Sequence, residues 1–155
     1  MSALKTNTVH FFTVRAEKFK LHARTKHVLA ESLRVLAFKA QCTKGSSDTA
    51  SIYAELGRIM HDSQLSLFND YENGCPELEQ VCSITKAHGA LGSRPTGAGW
   101  GGSTVSLVEQ SKVKEVLDAL HSQYYKKRNP DITKEEFADA VLVSQPAAGA
   151  CLYQV

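Results

Sequence analysis

Six of the ten glycines fall between Gly89 and Gly102, and the run Gly92-Ser93-Arg94-Pro95-Thr96-Gly97-Ala98-Gly99-Trp100-Gly101-Gly102 carries the most chemistry in the chain. Glycines at this density let the backbone take φ > 0 at several positions and approach another surface closely. Ser93, Thr96 and Arg94 set hydroxyl and guanidinium donors beside it, so the loop can line an anion site. Gly97, Gly99 and Gly102 satisfy G-x-G-x-x-G in form. The dinucleotide fingerprint, however, needs a helix after the glycines to aim its N-terminus at a pyrophosphate, and a strand-like stretch follows here. A P-loop fails too, because Gly92-x4-Gly97 leads into Ala98 and Gly99 instead of lysine and a hydroxyl. The same loop also reads as a wide β-connection or a docking surface for another domain, and spacing does not choose among these.

Other residues offer less. Trp100, set among glycines, is either a packing plug or a lid over a site. His22 and His27 are five apart and share no helical ligand face. Asp62, Glu77 and Glu79 are carboxylates of the kind that act as bases, but a helix surface and a helix N-terminus account for them without chemistry. Cys42, Cys75, Cys82 and Cys151 form no C-x-x-C pair, which points to reduced thiols instead of a zinc site or disulfide framework. No catalytic residue and no metal ligand is assigned.

The elements that must position the glycine run follow from periodicity. Leu29, Leu33, Leu36 and Ala40 share a face with Val28 and Val35 beside them, which predicts a helix over 23–42. Ile52, Leu56, Ile59, Met60, Ser63 and Leu67 predict a second, running toward Asn69. Pro76 suits a first helical turn, with Glu77 and Glu79 placed against the N-terminal dipole, and Leu78, Val81, Cys82 and Thr85 give a third helix its buried face. Gly89 is its natural stop. Beyond the glycines, Ser103 to Val108 alternates as a strand should, and Val113, Val116, Leu117, Leu120 and Tyr124 restore helical spacing up to Lys126-Lys127-Arg128. Thr133 with Glu136 reads as a capping box for a short helix. Ala140 to Ser144 and Ala150 to Tyr153 look like two strands joined through 145–149, and His10 to Val14 is a further β-favouring patch. Helices and strands segregated in this way predict an α+β fold.

At 155 residues with 43% hydrophobic residues, the chain is one domain in size and can bury roughly 70% of its unfolded surface. A net charge of +2 is too small for the phosphate neutralisation that nucleic acids or anionic membranes need, so neither is expected as a partner. No apolar run approaches a membrane span, and 1–10 lacks the apolar core of a signal peptide, which reads as a cytoplasmic protein.

The run from Gly92 to Gly102, continuing into Ser103-Thr104-Val105, resembles the third conserved motif of galactokinases, members of the GHMP family of small-molecule kinases. Phe19-Lys20-Leu21, Lys26-His27-Val28 and Glu31-Ser32-Leu33-Arg34-Val35-Leu36 are similar to the helix that opens the galactokinase C-terminal domain. Tyr71-Glu72 through Cys75-Pro76-Glu77-Leu78 is similar to the segment before the next helix, and Val143-Ser144-Gln145-Pro146 through Gly149-Ala150 resembles the C-terminal hairpin. Trp100 and the stretch from Tyr124-Tyr125 to Asp131-Ile132-Thr133 bring the chain nearest to the fungal galactokinases and N-acetylgalactosamine kinases. Pro95, where the family usually has Leu or Met, and Ser103, for a frequent Cys, depart from the pattern.

The resemblance implies that 1–155 form one domain of the GHMP kinase C-terminal type, an antiparallel sheet covered by helices. It implies ATP-dependent phosphorylation of galactose to galactose 1-phosphate, with Mg2+ on the phosphates. Ser93, Arg94, Thr96, Gly97, Ala98, Gly99, Gly101 and Gly102 carry over as residues lining the phosphate side of the site, and none as a catalyst. The family's sugar-binding signature, its Gly/Ser-rich phosphate loop and its catalytic aspartate belong to an N-terminal kinase domain with no counterpart in these residues. The chain alone is therefore expected to turn over little or no substrate. The resemblance leaves open an N-acetylgalactosamine kinase, a non-catalytic galactose and ATP sensor that engages a transcriptional repressor, and a truncated product without a function of its own.

Overall fold

The computed structural model of the chain describes residues 18–45 and 48–145. Three helices, α1 (Leu21–Cys42), α2 (Thr49–Ser66) and α3 (Pro76–Ala87), precede an antiparallel pair, β1 (Ala90–Thr96) and β2 (Ser103–Val108). Then come α4 (Val113–Leu120), a π-helical turn His121–Tyr125, the single turn α5 (Lys126–Arg128), and α6 (Lys134–Ala140). Helices packed on a two-stranded antiparallel sheet make this the α+β arrangement expected.

The expected face of α2 forms the main core: Leu56, Ile59, Met60 and Ser63 are buried, with Asp48 capping the helix through the Ser51 N–H at 3.0 Å. α2 lies almost backbone to backbone on β1. A Cβ at Gly57 would stand 2.2 Å from the carbonyl oxygen of Leu91, and one at Gly92 would stand 2.7 Å from the Cβ of Met60. Only glycines permit that approach. α3 packs on β1 from its own side through Leu78, Cys82 and Thr85, starting at Pro76 and ending before Gly89 at φ 105°. A second cluster joins Ile84 of α3 to Val116, Ala119 and Leu120 of α4, flanked by Tyr124, Tyr125 and Phe137. The capping box of Thr133 and Glu136 is present at the start of α6.

Four expectations differ. The run from Gly92 to Gly102 is not all loop: its first half is β1, in register with β2 from Gly92 opposite Leu107 to Thr96 opposite Ser103. Glycine and proline weaken local β propensity, and the pairing with β2 overrides it. Pro95 is fully buried within β1, opposite Thr104. The second helix does not run straight on to Asn69 but passes into a π-helical turn, Leu67–Tyr71, ending at Glu72 with φ 59°. The expected strand over Ala140 to Ser144 is absent: Ala140 ends α6, and 141–145 follow without regular structure. Leu142 there is 90% exposed, so nothing among the described residues buries an apolar face for it. Lastly, the apolar face of α1 is largely uncovered by the described residues, Val28, Leu29, Leu33, Val35 and Leu36 being exposed and His27 its one buried residue. The β-favouring patches at His10 to Val14 and Ala150 to Tyr153 lie outside the described residues.

The α2 to β1 contact yields a direct test. Gly57→Ala gains about 1 kcal/mol in helix propensity, but its methyl must displace the Leu91 carbonyl. Urea unfolding is expected to show a net loss of about 1–3 kcal/mol.

Candidate functional site

The tip between β1 and β2 has a left-handed backbone almost throughout. Gly97, Gly99, Trp100, Gly101 and Gly102 have φ of 84°, 85°, 56°, 143° and 83°. Four are glycines, for which this costs little, and Trp100 is held there by contacts. Its N–H donates to the carbonyl of Asn73 at 2.5 Å, and its indole Nε1–H donates to the carbonyl of Glu72 at 3.2 Å. Asn73 Nδ2 donates to the carbonyl of Ala98 at 3.1 Å. Residues 72–73, at the turn between α2 and α3, therefore clamp residues 98–100. The rest of the tip is left open by the described residues, none of which a Cβ at Gly97, Gly101 or Gly102 would meet within 4 Å.

The clamp is in turn held by α1. Lys20 and Arg24 both pair with the Glu72 carboxylate, Arg24 also donates to the carbonyl of Asp70, and Lys26 pairs with the Asp70 carboxylate at 2.9 Å. These partners hold both carboxyls below their usual range, through hydrogen bonds from Lys20 and Arg24 at Glu72 and from Lys26 at Asp70. Tyr71 stacks on buried His27, with ring centroids 4.8 Å apart, and stands 6.4 Å from Trp100. His27 Nδ1 lies 2.9 Å from Ser66 Oγ, whose hydroxyl donates to Asp70 at 3.2 Å. Burial lowers the His27 pKa, against the opposing charges of Glu31 and Asp70.

Of the residues expected to line a phosphate, the structure separates two groups. Gly97, Ala98, Gly99, Gly101 and Gly102 lie together at the tip, with Thr96 exposed at the end of β1. Ser93 and Arg94 sit within the strand. Ser93 is completely buried, its hydroxyl 2.8 Å from that of Ser106. Arg94 Nη1 donates to Glu31 Oε1 at 2.7 Å, and that same oxygen accepts from Ser63 Oγ at 2.7 Å, while Glu31 Oε2 accepts from Arg34 Nε at 2.8 Å. Burial pushes the Glu31 carboxyl up, but Ser63, Arg34 and the charge of Arg94 together outweigh it and hold it below its usual value of 4.5. Arg94 is thus committed to fastening β1 against α1.

Trp100, 65% exposed and anchored by its indole N–H, is a brace for the loop and not a packing plug. Asp62 pairs with Arg58 at 2.6 Å, and Glu77 sits in the first turn of α3, where its own N–H lowers its pKa. His22 is exposed and His27 is buried in the aromatic seam. Arg128 stacks over Tyr124 at 4.0 Å. The residues that sequence reasoning missed are Asn73 and Glu31. Nothing local marks the contacts that give them these roles, since Ala98 and Arg94 lie 25 and 63 positions away from them. Among the described residues, no group of three or more His, Cys, Asp or Glu side chains is arranged to hold a metal ion. None of their helices is long and apolar enough to cross a membrane.

Helices on a β-hairpin with a glycine tip of this kind define a class of domain, and comparison with known proteins identifies it. The family model described as GHMP kinases C terminal matches residues 50–127, just over half of the chain, and the chain belongs to that family. The galactokinase of Saccharomyces cerevisiae is 43% identical over 146 residues, which cover 92% of this chain and 28% of that protein. The galactokinase of Dictyostelium discoideum is 38% identical over 164 residues, covering 96% of this chain and 33% of its own length. The Bos taurus galactokinase is 39% identical over 103 residues, covering 66% and 25%. The crystal structure of Lactococcus lactis galactokinase complexed with galactose superimposes with a TM-score of 0.59 at 27% identity, covering 72% of this chain and 27% of that one. The chain is a homologue of galactokinases and spans about a quarter to a third of the length of these relatives.

The Glu31 hub sets a pH dependence. A carboxyl whose folded pKa is depressed contributes stability that is present above its unfolded value and lost as pH falls. Glu31→Gln is expected to cost about 1–2 kcal/mol at pH 7. Its deficit against the parent should shrink below pH 4.5 in thermal melts recorded from pH 7 to pH 3.

Proposed function

We propose that this chain supplies the C-terminal part of an ATP-dependent sugar 1-kinase of the galactokinase type, and that the tip from Gly97 to Gly102 is its contribution to the phosphate side of the site. The observation that carries the reading is the tip itself, a left-handed backbone open to another surface and fixed from behind by Asn73 and Glu72. Similarity to galactokinases over more than nine-tenths of the chain supports it, and the galactose in the Lactococcus lactis structure is the reason for naming that sugar.

The tip suits a nucleotide phosphate, because its backbone can come close and turn N–H dipoles toward negative charge. ATP, when bound, supplies the transferred phosphoryl group, a reaction that depends mainly on positioning and charge stabilisation. Gly97, Ala98, Gly99, Gly101 and Gly102 shape the wall, Thr96 Oγ1 adds a hydroxyl at its edge, and Ser93 and Arg94 hold the strand beneath. Magnesium does not fit the described residues: they hold no cluster of carboxylates arranged for a metal ion, and the carboxylates of Asp70 and Glu72, in the turn that clamps the tip, are engaged by Lys20, Arg24 and Lys26. The catalytic base and the sugar contacts are likewise assigned to the remainder of a complete kinase. The cytoplasm, where ATP meets reduced thiols, accords with the free thiols of Cys42, Cys75 and Cys82.

The test is a chimera in which the matched C-terminal residues of the Saccharomyces cerevisiae galactokinase are replaced by this chain. Galactose-dependent consumption of ATP is expected from the chimera, with this chain alone at the level of a sugar-free blank. A soluble chimera that binds galactose and ATP without phosphorylating galactose would contradict the kinase reading.

A further inference from the structure

Asn73 contacts Ala98, Gly99 and Trp100 of the glycine tip from a fully interior position, 3% exposed. Its N–H donates to the carbonyl of Leu67 at 3.1 Å, which ties it to the π-helical turn. Its carbonyl accepts from Trp100 and its side-chain amide donates to Ala98, so one residue grips the tip on both sides of Gly99. Gly99 fits against it so closely that a Cβ there would stand 2.4 Å from the Asn73 carbonyl oxygen and 2.5 Å from Nδ2. The amide can face Ala98 in only one sense, since the reverse would set two acceptor oxygens against each other. That orientation leaves Oδ1 buried with no hydrogen-bond partner among the described residues.

A buried acceptor left unpaired costs stability, which offsets the one hydrogen bond the side chain makes. Asn73 is therefore a poor device for holding the fold and a specific one for holding the loop. We propose that Asn73 is a positioning residue, which fixes the backbone of Ala98 to Trp100 in the conformation presented to the nucleotide phosphates. The proposal rests on the reading of the tip as the phosphate-side wall, and its first test is independent of that reading.

Leucine has the shape of asparagine and lacks both the amide donor and the orphaned oxygen. If Asn73 only supports the fold, Asn73→Leu lowers the melting temperature. If it positions the loop, the melting temperature holds or rises while the tip loosens. Trp100 is the chain's one tryptophan, so its indole N–H gives a single assignable NMR signal. In this chain, Asn73→Leu is expected to lower the heteronuclear NOE of that indole and of the Gly99 and Gly101 amides, with no loss of thermal stability. Gly99→Ala, which drives a methyl into Asn73 from the loop side, is expected to produce the same spectral change. Unchanged tip dynamics in both variants, or loosening that appears only with a lowered melting temperature, would overturn the proposal. In the chimera, Asn73→Leu is expected to raise the KM for ATP on the order of fivefold, as for one lost hydrogen bond, with the KM for galactose unchanged. An equal loss in kcat with an unchanged KM for ATP would also overturn it. Inactivity of the parent chimera would instead count against the kinase reading and leave the NMR comparison to decide the loop.

Discussion

One carboxylate, that of Glu31, joins the three elements on which the hairpin stands. It belongs to α1, accepts from Ser63 of α2 and Arg94 of β1, and is braced along its own helix by Arg34. Such a hub matters because α1 buries no apolar side chain fully against the described residues, Ala23, Ala30 and Phe38 being only half-buried. Hydrophobic burial fixes α2, α3 and the sheet, whereas α1 is placed by directional polar contacts. Once α1 is placed, Lys20, Arg24 and Lys26 reach Asp70 and Glu72, and His27 receives the ring of Tyr71. The position of the glycine tip is the far end of that series.

If the tip meets a phosphate as proposed, the same arrangement limits what the chain can offer it. Lys20, Arg24 and Arg94, three cations of the elements that hold the tip, are each paired with a carboxylate. What remains for a ligand is shape and backbone dipole: a run of left-handed residues with open space at Gly97, Gly101 and Gly102 and a clamp behind. Phosphoryl transfer needs charge stabilisation as well as positioning. On the proposed reading, the chain contributes the positioning part of such a site.

Much of the helical framework was legible in the sequence because its signals are local. Pro76 marked the start of α3, Thr133 with Glu136 marked α6, and the apolar period of α2 named the residues that are buried. β1 was not legible, because Gly92 and Pro95 hide a strand whose existence depends on pairing with β2. The converse error, a strand expected over Ala140 to Ser144, came from apolar composition without a described partner to bury it. At the site, the glycine motif was visible and what holds it was not. Asn73 and Glu31 carry no local pattern, and their roles arise from contacts that only the folded chain makes. Periodicity places an apolar stripe on α1, and the described residues leave it largely uncovered.

Amide hydrogen exchange in the chimera with the Saccharomyces cerevisiae galactokinase decides whether the tip meets the phosphates of ATP, as proposed. Addition of ATP is predicted to slow exchange across Gly97 to Gly102 while leaving α4 to α6 unchanged. Saturating ATP that protects other parts of the chimera and leaves this tip exchanging at its original rate would contradict the account.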